Sequence, residues 1–286
     1  MQGRRGSAGR SPAGGYPSAA LPSAPIANSP GREPTLKTLV LLRHGESTWN
    51  HAHRFTGWTD VPLTARGEEQ ARRAGELLAE AGFRPQLCFT SLLRRGTDSL
   101  RIALPAMGVA SVPVVESWYL NERHFGALQG LGRLEALLRF GLRSVWACQR
   151  RYAAVPPPLR AEDPRHPARD PRYAGLDARE LPAAESLHDT VERMRPFWKE
   201  TLAPELRRGT HVLVVAHKNS LRALLRLLGA VRDEEVPRLA IRTGRPLAVS
   251  LRDDLSVSNH RYLDDPAPRD TLASLSAGAA AVRRAS

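Results

Sequence analysis

The stretch that decides the fold reads Leu39-Val40-Leu41-Leu42-Arg43-His44-Gly45-Glu46. Four apolar residues followed at once by polar ones indicate a short buried strand that ends in reactive side chains. A second apolar run, Val212-Leu213-Val214-Val215-Ala216, ends in the same way at His217. Because ligands of open α/β sheets bind outside the carboxyl ends of the strands, we expect the two histidines to meet although about 170 positions separate them.

Two histidines at one sheet edge indicate phosphoryl transfer. A neutral imidazole near pH 7 can attack phosphorus, and a second imidazole beside it can stabilise or protonate what leaves. The planar guanidinium of Arg43 would grip the phosphoryl oxygens, since its fork makes bidentate contacts that lysine cannot make. The pattern therefore favours a reaction through a phosphohistidine.

Strand and helix patterns alternate along the rest of the chain and predict an α/β fold with a mostly parallel open sheet and helices on both faces. Further strands are predicted at 87–90, 112–115 and 246–251, the last in the chain, and helices are predicted after Thr64 and from Ser91, Gly132, Ser186 and Asn219. Residues 155–173 are rich in Pro and Arg without a regular period, which predicts an insertion over the sheet that forms part of a lid.

The length of 286 residues suits one α/β domain with loose ends. We expect residues 1–35 to be a disordered extension, 36–263 to be the catalytic domain and 264–286 to be a flexible tail. The extension is poor in acidic residues and could be an organellar transit segment, but no amphipathic pattern supports import, so a cytoplasmic protein is expected.

The net charge of +13 limits the classes of partner. No nucleic-acid motif or basic stripe is visible, and no apolar stretch approaches the ~20 residues of a membrane span. We therefore expect small anionic substrates drawn to a positive cleft, with neither nucleic acid nor membrane as partner. Cys88 and Cys148 lie in apolar surroundings, too few for a disulfide framework and without metal spacing.

Four segments, taken in order, resemble the signatures of cofactor-dependent phosphoglycerate mutases of the histidine phosphatase superfamily. They are Leu42-Arg43-His44-Gly45-Glu46-Ser47-Thr48-Trp49-Asn50, Arg54-Phe55-Thr56-Gly57-Trp58, Leu120-Asn121-Glu122-Arg123-His124 and Ala216-His217-Lys218-Asn219-Ser220-Leu221-Arg222. The resemblance runs from about Leu36 to Leu263. It implies the three-layer sandwich of this family.

The resemblance also implies an activity and its catalytic residues. The enzyme would interconvert 3-phosphoglycerate and 2-phosphoglycerate in glycolysis and gluconeogenesis, after 2,3-bisphosphoglycerate has primed the nucleophile. The catalytic residues would be His44 as nucleophile, Glu122 as general acid and base, His217 stabilising the transferring group, and Arg43 and Arg95 binding phosphate.

Further residues would line the substrate pocket by the same resemblance. Arg123 would bind the substrate carboxylate, and Asn50 can donate to a phosphate oxygen. Ser47 is typical of mutases, whereas bisphosphoglycerate mutases typically carry Gly there. The full set is Ser47, Asn50, Thr56, Gly57, Arg123, Arg133, Arg150, Arg151, Lys218 and Asn219. Members of the family usually assemble as homodimers or homotetramers, which is expected here as well.

The chain departs from the family pattern at the substrate rim. Lys218 replaces the usual Gly after the second histidine, and we expect strain there if the residue must take positive φ. Phe125 stands where the family has Tyr, and Arg133 stands where it has Lys. Gln149 takes the first place of an Arg-Arg pair, which Arg150 and Arg151 could supply with a shift of one residue.

Three other interpretations compete with the mutase. An altered rim could admit water to the phosphohistidine and give a phosphatase of another small phosphorylated metabolite. A non-catalytic anion-binding protein is disfavoured because the five catalytic residues occur together. A metal site formed by His51, His53 and His44 is disfavoured because Cys and carboxylate ligands are missing, so no metal is predicted.

Overall fold

The computed structural model describes residues 37–265, so the expectations for residues 1–35 and for nearly all of the tail lie outside the described residues. The strands are β1 (Lys37–Arg43), β2 (Leu87–Thr90), β3 (Val114–Glu116), β4 (Val212–Ala216), β5 (Pro246–Leu251) and β6 (Val257–Tyr262). The α-helices are α1 (Thr48–His51), α2 (Ala65–Glu80), α3 (Arg94–Ala106), α4 (Arg133–Phe140), α5 (Leu142–Arg150), α6 (Leu187–Phe197), α7 (Ala203–Arg207) and α8 (Lys218–Leu227).

The six strands form one sheet in the order β3-β2-β4-β1-β5-β6. The β1–β4, β2–β4 and β2–β3 pairs are parallel, while β5 runs antiparallel to both of its neighbours. Strands β1 and β4 are adjacent at the centre, and Arg43 lies opposite Ala216 at their carboxyl ends. The residues that follow these two strands therefore leave the sheet side by side.

Helices cover both faces of the sheet, as the alternating pattern predicts. Leu39 and Leu41 of β1 pack into a core with α6 and α8, and Val40 and Leu42 pack into a second core with α2 and α3. All four side chains are buried. The continuous apolar run thus reflects a strand covered on both sides, which is the usual reason for such runs in parallel sheets.

Several predicted boundaries and the number of strands were wrong. The strand predicted at 112–115 spans Val114–Glu116 in the structure. The prediction that 246–251 is the last strand fails because β6 follows it and pairs with β5. In β6 only His260 and Tyr262 are buried, so no apolar alternation marks the strand. Helix α3 begins at Arg94 and not at Ser91, whose hydroxyl is hydrogen-bonded elsewhere, and α8 begins one residue before Asn219.

Residues 155–173 contain short 3-10 turns at Pro167–Arg169 and Pro171–Tyr173. Tyr173 is buried against the rings of Trp58 and Trp118, which belong to segments that follow β1 and β3. The insertion therefore packs beside the carboxyl edge of the sheet, where a covering element was expected. Within residues 37–265, no helix combines the length and apolar character needed to cross a membrane.

Candidate active site

His44 and His217 meet at the carboxyl edge of β1 and β4, as the sequence predicts. The centroids of their rings are 4.9 Å apart, and the planes are tilted by 57°. Both side chains are almost completely shielded from solvent, and the backbone amide of His44 donates to the carbonyl of Ala216 at 3.0 Å. The parallel ladder itself thus fixes the distance between the two imidazoles.

The His44 ring has a defined tautomer. Its Nδ1 lies 2.6 Å from the carbonyl oxygen of Gly45, which only accepts, so Nδ1 carries the hydrogen and Nε2 keeps a lone pair. Burial lowers the pKa of His44 well below its ordinary 6.5, and the charges of Arg95 and Arg43 lower it further. The imidazole is therefore neutral at pH 7 and is a nucleophile at Nε2.

The His217 ring is held by a residue whose role the sequence did not reveal. Nε2 of His217 lies 2.7 Å from the hydroxyl of Ser91. Among the described residues, Nδ1 of His217 is buried without a hydrogen-bond partner. Burial lowers the pKa of His217, and the cations and His44 around it act in the same direction. This ring can therefore offer a polar nitrogen to a ligand.

Arginines surround the histidine pair. The Arg95 guanidinium donates to the carbonyls of Thr59 (3.0 Å) and Gly57 (2.8 Å), and burial lowers its pKa to about 10. Arg43 donates to Ile241, while its Nε is buried without a partner among residues 37–265. Both side chains are fixed by backbone carbonyls and retain donors for an anion.

Glu122 lies among these cations on the segment that follows β3. Its Oε1 accepts hydrogen bonds from the backbone amides of Arg123 (2.8 Å) and Asn219 (3.1 Å). The Asn219 amide belongs to the first turn of α8, where the helix dipole favours a negative charge. The residue as a whole is 8% exposed. It can therefore reach a ligand at the histidine pair without facing open solvent.

Arg222 is a further buried cation that the sequence did not single out. Its guanidinium donates to the carbonyls of Leu239 and Pro237 and to Oδ1 of Asn219. Burial lowers the pKa of Arg222 to about 9, and the nearby charge of Arg123 lowers it further. Arg222 lies one helical turn after Lys218 on α8, and this spacing could have predicted that both side chains face the site.

Lys218 joins the cation cluster without backbone strain. It is the first residue of α8, and within the described part of the chain positive φ at residues other than glycine occurs at His53 and Leu255. The expectation of strain at Lys218 was therefore wrong, because a helical backbone needs no glycine. The charge of Arg222, followed by burial, lowers the pKa of Lys218 to about 7.

The loop after β1 forms the floor of the site. Ser47 caps α1, with its hydroxyl accepting from the amide of Asn50 and the Asn50 side chain accepting from the amide of Ser47. A Cβ atom added to Gly45 would lie 2.0 Å from the carbonyl oxygen of Gly67, and one added to Gly67 would lie 2.0 Å from that of Glu46. The loop and the start of α2 therefore require glycine at both positions.

A second loop contributes Thr56 and Gly57. Thr56 is buried, and Gly57 takes a φ of +57° with its carbonyl held by Arg95. Gln129 was missed from the sequence: its Oε1 accepts from the amide of Trp58 at 2.6 Å. Hydrogen bonds thus tie this loop to Arg95 on one side and to the buried side-chain amide of Gln129 on the other.

The remaining predicted rim residues divide into two groups. Arg123 is buried, donates to the carbonyl of Cys148, and lies 4.4 Å from the ring centroid of Phe125, which stands where a tyrosine was expected. The exposed group is Arg133, Arg150 and Arg151, of which the last two lie over the ring of Trp146 at 5.8 and 5.9 Å. The structure therefore gathers Arg123 into the cluster and leaves these three at its outside.

His51, the last residue of α1, and His53, on the turn after it, are both exposed. Across residues 37–265, no group of three or more His, Cys, Asp or Glu side chains could hold a metal ion.

The chain is similar to known proteins of one family. A sequence model of the histidine phosphatase superfamily (branch 1) matches residues 39–169 and 158–255. The chain is 48% identical over 249 residues to a 2,3-bisphosphoglycerate-dependent phosphoglycerate mutase of Nitratidesulfovibrio vulgaris (strain DSM 19637 / Miyazaki F). The matched region covers 87% of this chain and 100% of that relative.

Solved structures share the fold. A mycobacterial glucosyl-3-phosphoglycerate phosphatase superposes with a TM-score of 0.59 at 25% identity, covering 79% of this chain and 97% of that protein. A putative alpha-ribazole-5'-P phosphatase from Escherichia coli str. K-12 substr. MG1655 superposes with a TM-score of 0.62 at 23% identity, covering 82% and 98%.

Proposed function

The chain belongs to the histidine phosphatase superfamily, and we propose that it is a phosphoglycerate mutase, interconverting 3-phosphoglycerate and 2-phosphoglycerate through a phosphohistidine on His44. The observation that carries the proposal is the buried His44–His217 pair beside Arg43 and Arg95. The 48% identity to a curated mutase over the whole length of that relative selects isomerisation from the reactions of the superfamily. This reaction is a step of glycolysis and gluconeogenesis.

His44 would act as nucleophile in this mechanism. Its Nδ1–H is held by the Gly45 carbonyl, so the lone pair on Nε2 attacks phosphorus while the P–O bond to the sugar acid breaks. Arg43 and Arg95 bind the equatorial oxygens, and His217 donates to the charge that builds up on the transferring group. Backbone carbonyls hold the side chains of Arg43, His44 and Arg95. The hydroxyl of Ser91 holds that of His217, so all four need little rearrangement to act.

Glu122 would move the proton. It protonates the oxygen that leaves phosphorus, and it takes the proton back from the hydroxyl that next attacks the phosphohistidine. Two backbone amides direct its Oε1. Phosphorylated His44 gives its phosphoryl group to the free hydroxyl of 3-phosphoglycerate and then takes one back from the 3-oxygen, so the two half-reactions release 2-phosphoglycerate and restore the phosphohistidine.

The donor groups of the site fit 2,3-bisphosphoglycerate, a ligand with two phosphates and a carboxylate. Five cations surround one carboxylate, and within the described residues Nε of Arg43, Nε of Arg123 and Nδ1 of His217 are buried without partners. When bound, 2,3-bisphosphoglycerate would supply the phosphoryl group that primes His44. Arg123 would hold the carboxylate, with Lys218 and Arg222 adding positive charge beside it.

The remaining assignments rest on the family resemblance. Ser47, Asn50, Thr56, Gly57 and Asn219 would line the pocket, and the exposed Arg133, Arg150 and Arg151 would draw anions toward it. We propose residues 36–263 as the catalytic domain, a cytoplasmic location, and a homodimer or homotetramer.

The proposal is tested by following 3-phosphoglycerate with purified protein, with and without trace 2,3-bisphosphoglycerate, while free phosphate is measured in the same tube. We expect 2-phosphoglycerate to form only with the trace donor and with little free phosphate. Phosphate release without isomerisation would replace the mutase by a phosphatase. His44→Ala provides the inactive control.

A further inference from the structure

Arg193 and Glu185 form an ion pair that is almost completely buried. Nε of Arg193 lies 2.6 Å from Oε1 of Glu185, and the two side chains are 5% and 3% exposed. Arg193 belongs to α6, and Glu185 precedes the N-cap residue of that helix. Among residues 37–265, neither is hydrogen-bonded to His44 or His217, although the charge of Arg193 adds to the lowering of the pKa of His217. Burying two charges costs free energy, so the position of this ion pair away from the histidines calls for an explanation of its own.

The Arg193 guanidinium donates hydrogen bonds to four backbone carbonyls of the segment that carries Glu122. One nitrogen donates to the carbonyls of Trp118 (3.1 Å) and Tyr119 (2.6 Å), and the other donates to those of Asn121 (3.1 Å) and Glu122 (3.3 Å). A planar fork with five N–H donors suits this task, whereas an ammonium could reach fewer of the four oxygens.

Glu185 holds the other end of the same segment. Its Oε2 accepts from the backbone amide of His124 at 2.7 Å, while the carboxylate also binds Arg193. The segment from Trp118 to His124 contains one 3-10 turn, Trp118–Leu120, and continues without helix or strand to His124. The ion pair therefore hydrogen-bonds five backbone groups, four carbonyls and one amide, of a segment with little regular secondary structure.

We propose that Arg193 and Glu185 are positioning residues that fix the carboxyl of Glu122 for proton transfer, an inference that rests on the proposed function. The catalytic acid must stay within hydrogen-bond reach of the leaving oxygen, and a displacement of about 1 Å can cost about 100-fold in rate. His44, Arg43 and Arg95 are held by other elements. Loosening the ion pair should therefore impair the proton transfer and leave nucleophilic attack intact.

Two phosphoryl donors separate these steps. Transfer from 2,3-bisphosphoglycerate to His44 expels an alkoxide and needs the proton of Glu122. Transfer from 4-nitrophenyl phosphate expels a phenolate that leaves without a proton. The experiment measures the rate at which acid-labile phosphoprotein forms from each donor, in wild type and in Arg193→Lys, Glu185→Gln and Arg195→Lys. Glu122→Gln serves as the reference for a missing acid.

We expect Arg193→Lys and Glu185→Gln to slow phosphorylation by 2,3-bisphosphoglycerate by about 10-fold or more and phosphorylation by the aryl phosphate by less than about 3-fold. Glu122→Gln should show the same asymmetry, with a loss of about 100-fold or more. Arg195→Lys is the matched control, since Arg195 lies on the same helix and pairs with Glu192 in an exposed position. It should leave both rates unchanged.

Equal slowing with both donors would overturn the inference and indicate a general structural role, and unchanged rates with both donors would overturn it as well. Glu185→Gln has the same shape as the native side chain and carries the test if Arg193→Lys does not fold. Failure of the proposed function would differ from either result, because wild-type protein would then form no phosphohistidine with 2,3-bisphosphoglycerate.

Discussion

The backbone amide of Asn219 donates a hydrogen bond to Oε1 of Glu122 across 3.1 Å, although 97 positions separate the two residues. Asn219 lies two residues after His217, in the first turn of α8. The first turn of α8 therefore fixes the position of the Glu122 carboxyl relative to His217, the N-cap residue of the same helix. A change at this helix start affects both groups together.

Replacing His44 by Ala should abolish the acid-labile phosphoprotein formed with labelled 2,3-bisphosphoglycerate. His44 is the proposed nucleophile, because its buried ring has a lowered pKa and the hydrogen bond from its Nδ1 to the Gly45 carbonyl leaves the lone pair on Nε2. His188→Ala is the control, because His188 is exposed on α6. Label that persists in His44→Ala would move the nucleophile elsewhere.

The binding of 3-phosphoglycerate should depend on the charge of Lys218. Because the pKa of Lys218 is lowered to about 7 by Arg222, burial and Arg43, its ammonium is present at pH 6 and largely lost at pH 8.5. Glu122 opposes this shift and Arg123 adds to it. We expect Lys218→Gln to raise the dissociation constant by about 10-fold at pH 6 and to have little effect at pH 8.5.

Lys218→Arg supplies the matched comparison, since its charge persists at both pH values. The substrate's own ionisation is common to all variants, so the ratio of dissociation constants isolates residue 218. A ratio between wild type and Lys218→Gln that does not vary with pH would contradict the titration. Unchanged kinetic constants in Lys218→Gly would remove any role of Lys218 in substrate choice.

Gly67→Ala should disturb the floor of the site. Its new Cβ would lie 2.0 Å from the carbonyl oxygen of Glu46, a backbone atom that cannot move without moving the loop that carries His44. We expect a loss of about 1–3 kcal/mol in the free energy of unfolding and slower phosphorylation of His44. Thermal unfolding and the labelling rate measure both. Gly175→Ala, where a Cβ meets no atom within 4 Å, should change neither.

The free energy of unfolding should fall with acid below pH 6.5, partly through His124. Burial lowers the pKa of folded His124 to about 3, whereas the unfolded residue titrates near 6.5. The unfolded state therefore binds a proton that the folded state does not, and stability is lost as the pH falls from 6.5 toward 3.

Each histidine that is buried in the neutral form changes the free energy of unfolding by about 1.4 kcal/mol per pH unit in this window. His44 and His217, whose pKa values are also lowered, act in the same direction. In denaturant titrations, His124→Gln should reduce the slope of unfolding free energy against pH by about this amount. The exposed His188→Gln should keep the wild-type slope. A slope unchanged in His124→Gln would mean that His124 is not buried neutral.

The centre of the fold could be predicted because its signals are local. Leu39 to Leu42 and Val212 to Ala216 are continuous apolar runs, and the parallel ladder places both histidines as expected. Strand β6 and helix α5 were missed for opposite reasons. The strand is polar at a sheet edge, and α5 exposes Leu142 and Trp146 at positions where an amphipathic helix would carry polar residues.

His44, His217, Arg43 and Glu122 are recognisable in the sequence because each lies in one of the four segments that resemble the family. Ser91, Gln129, Arg193 and Arg222 are not, since each acts through a contact with a residue distant in sequence. The expectation of backbone strain at Lys218 was wrong because it too depended on structure beyond the residue itself. Its backbone conformation is set by the helix that begins there, which no single residue type reveals.

The position of Arg43 opposite Ala216 has a consequence for folding. A slip of one residue between β1 and β4 would turn the side chains of one strand to the other face of the sheet and separate the two imidazoles. A chain with misregistered strands could not then acquire phosphate on His44. If His44 is phosphorylated as proposed, the fraction of a preparation that can be phosphorylated therefore measures the fraction of molecules whose central strands are correctly paired, independently of any optical measure of secondary structure.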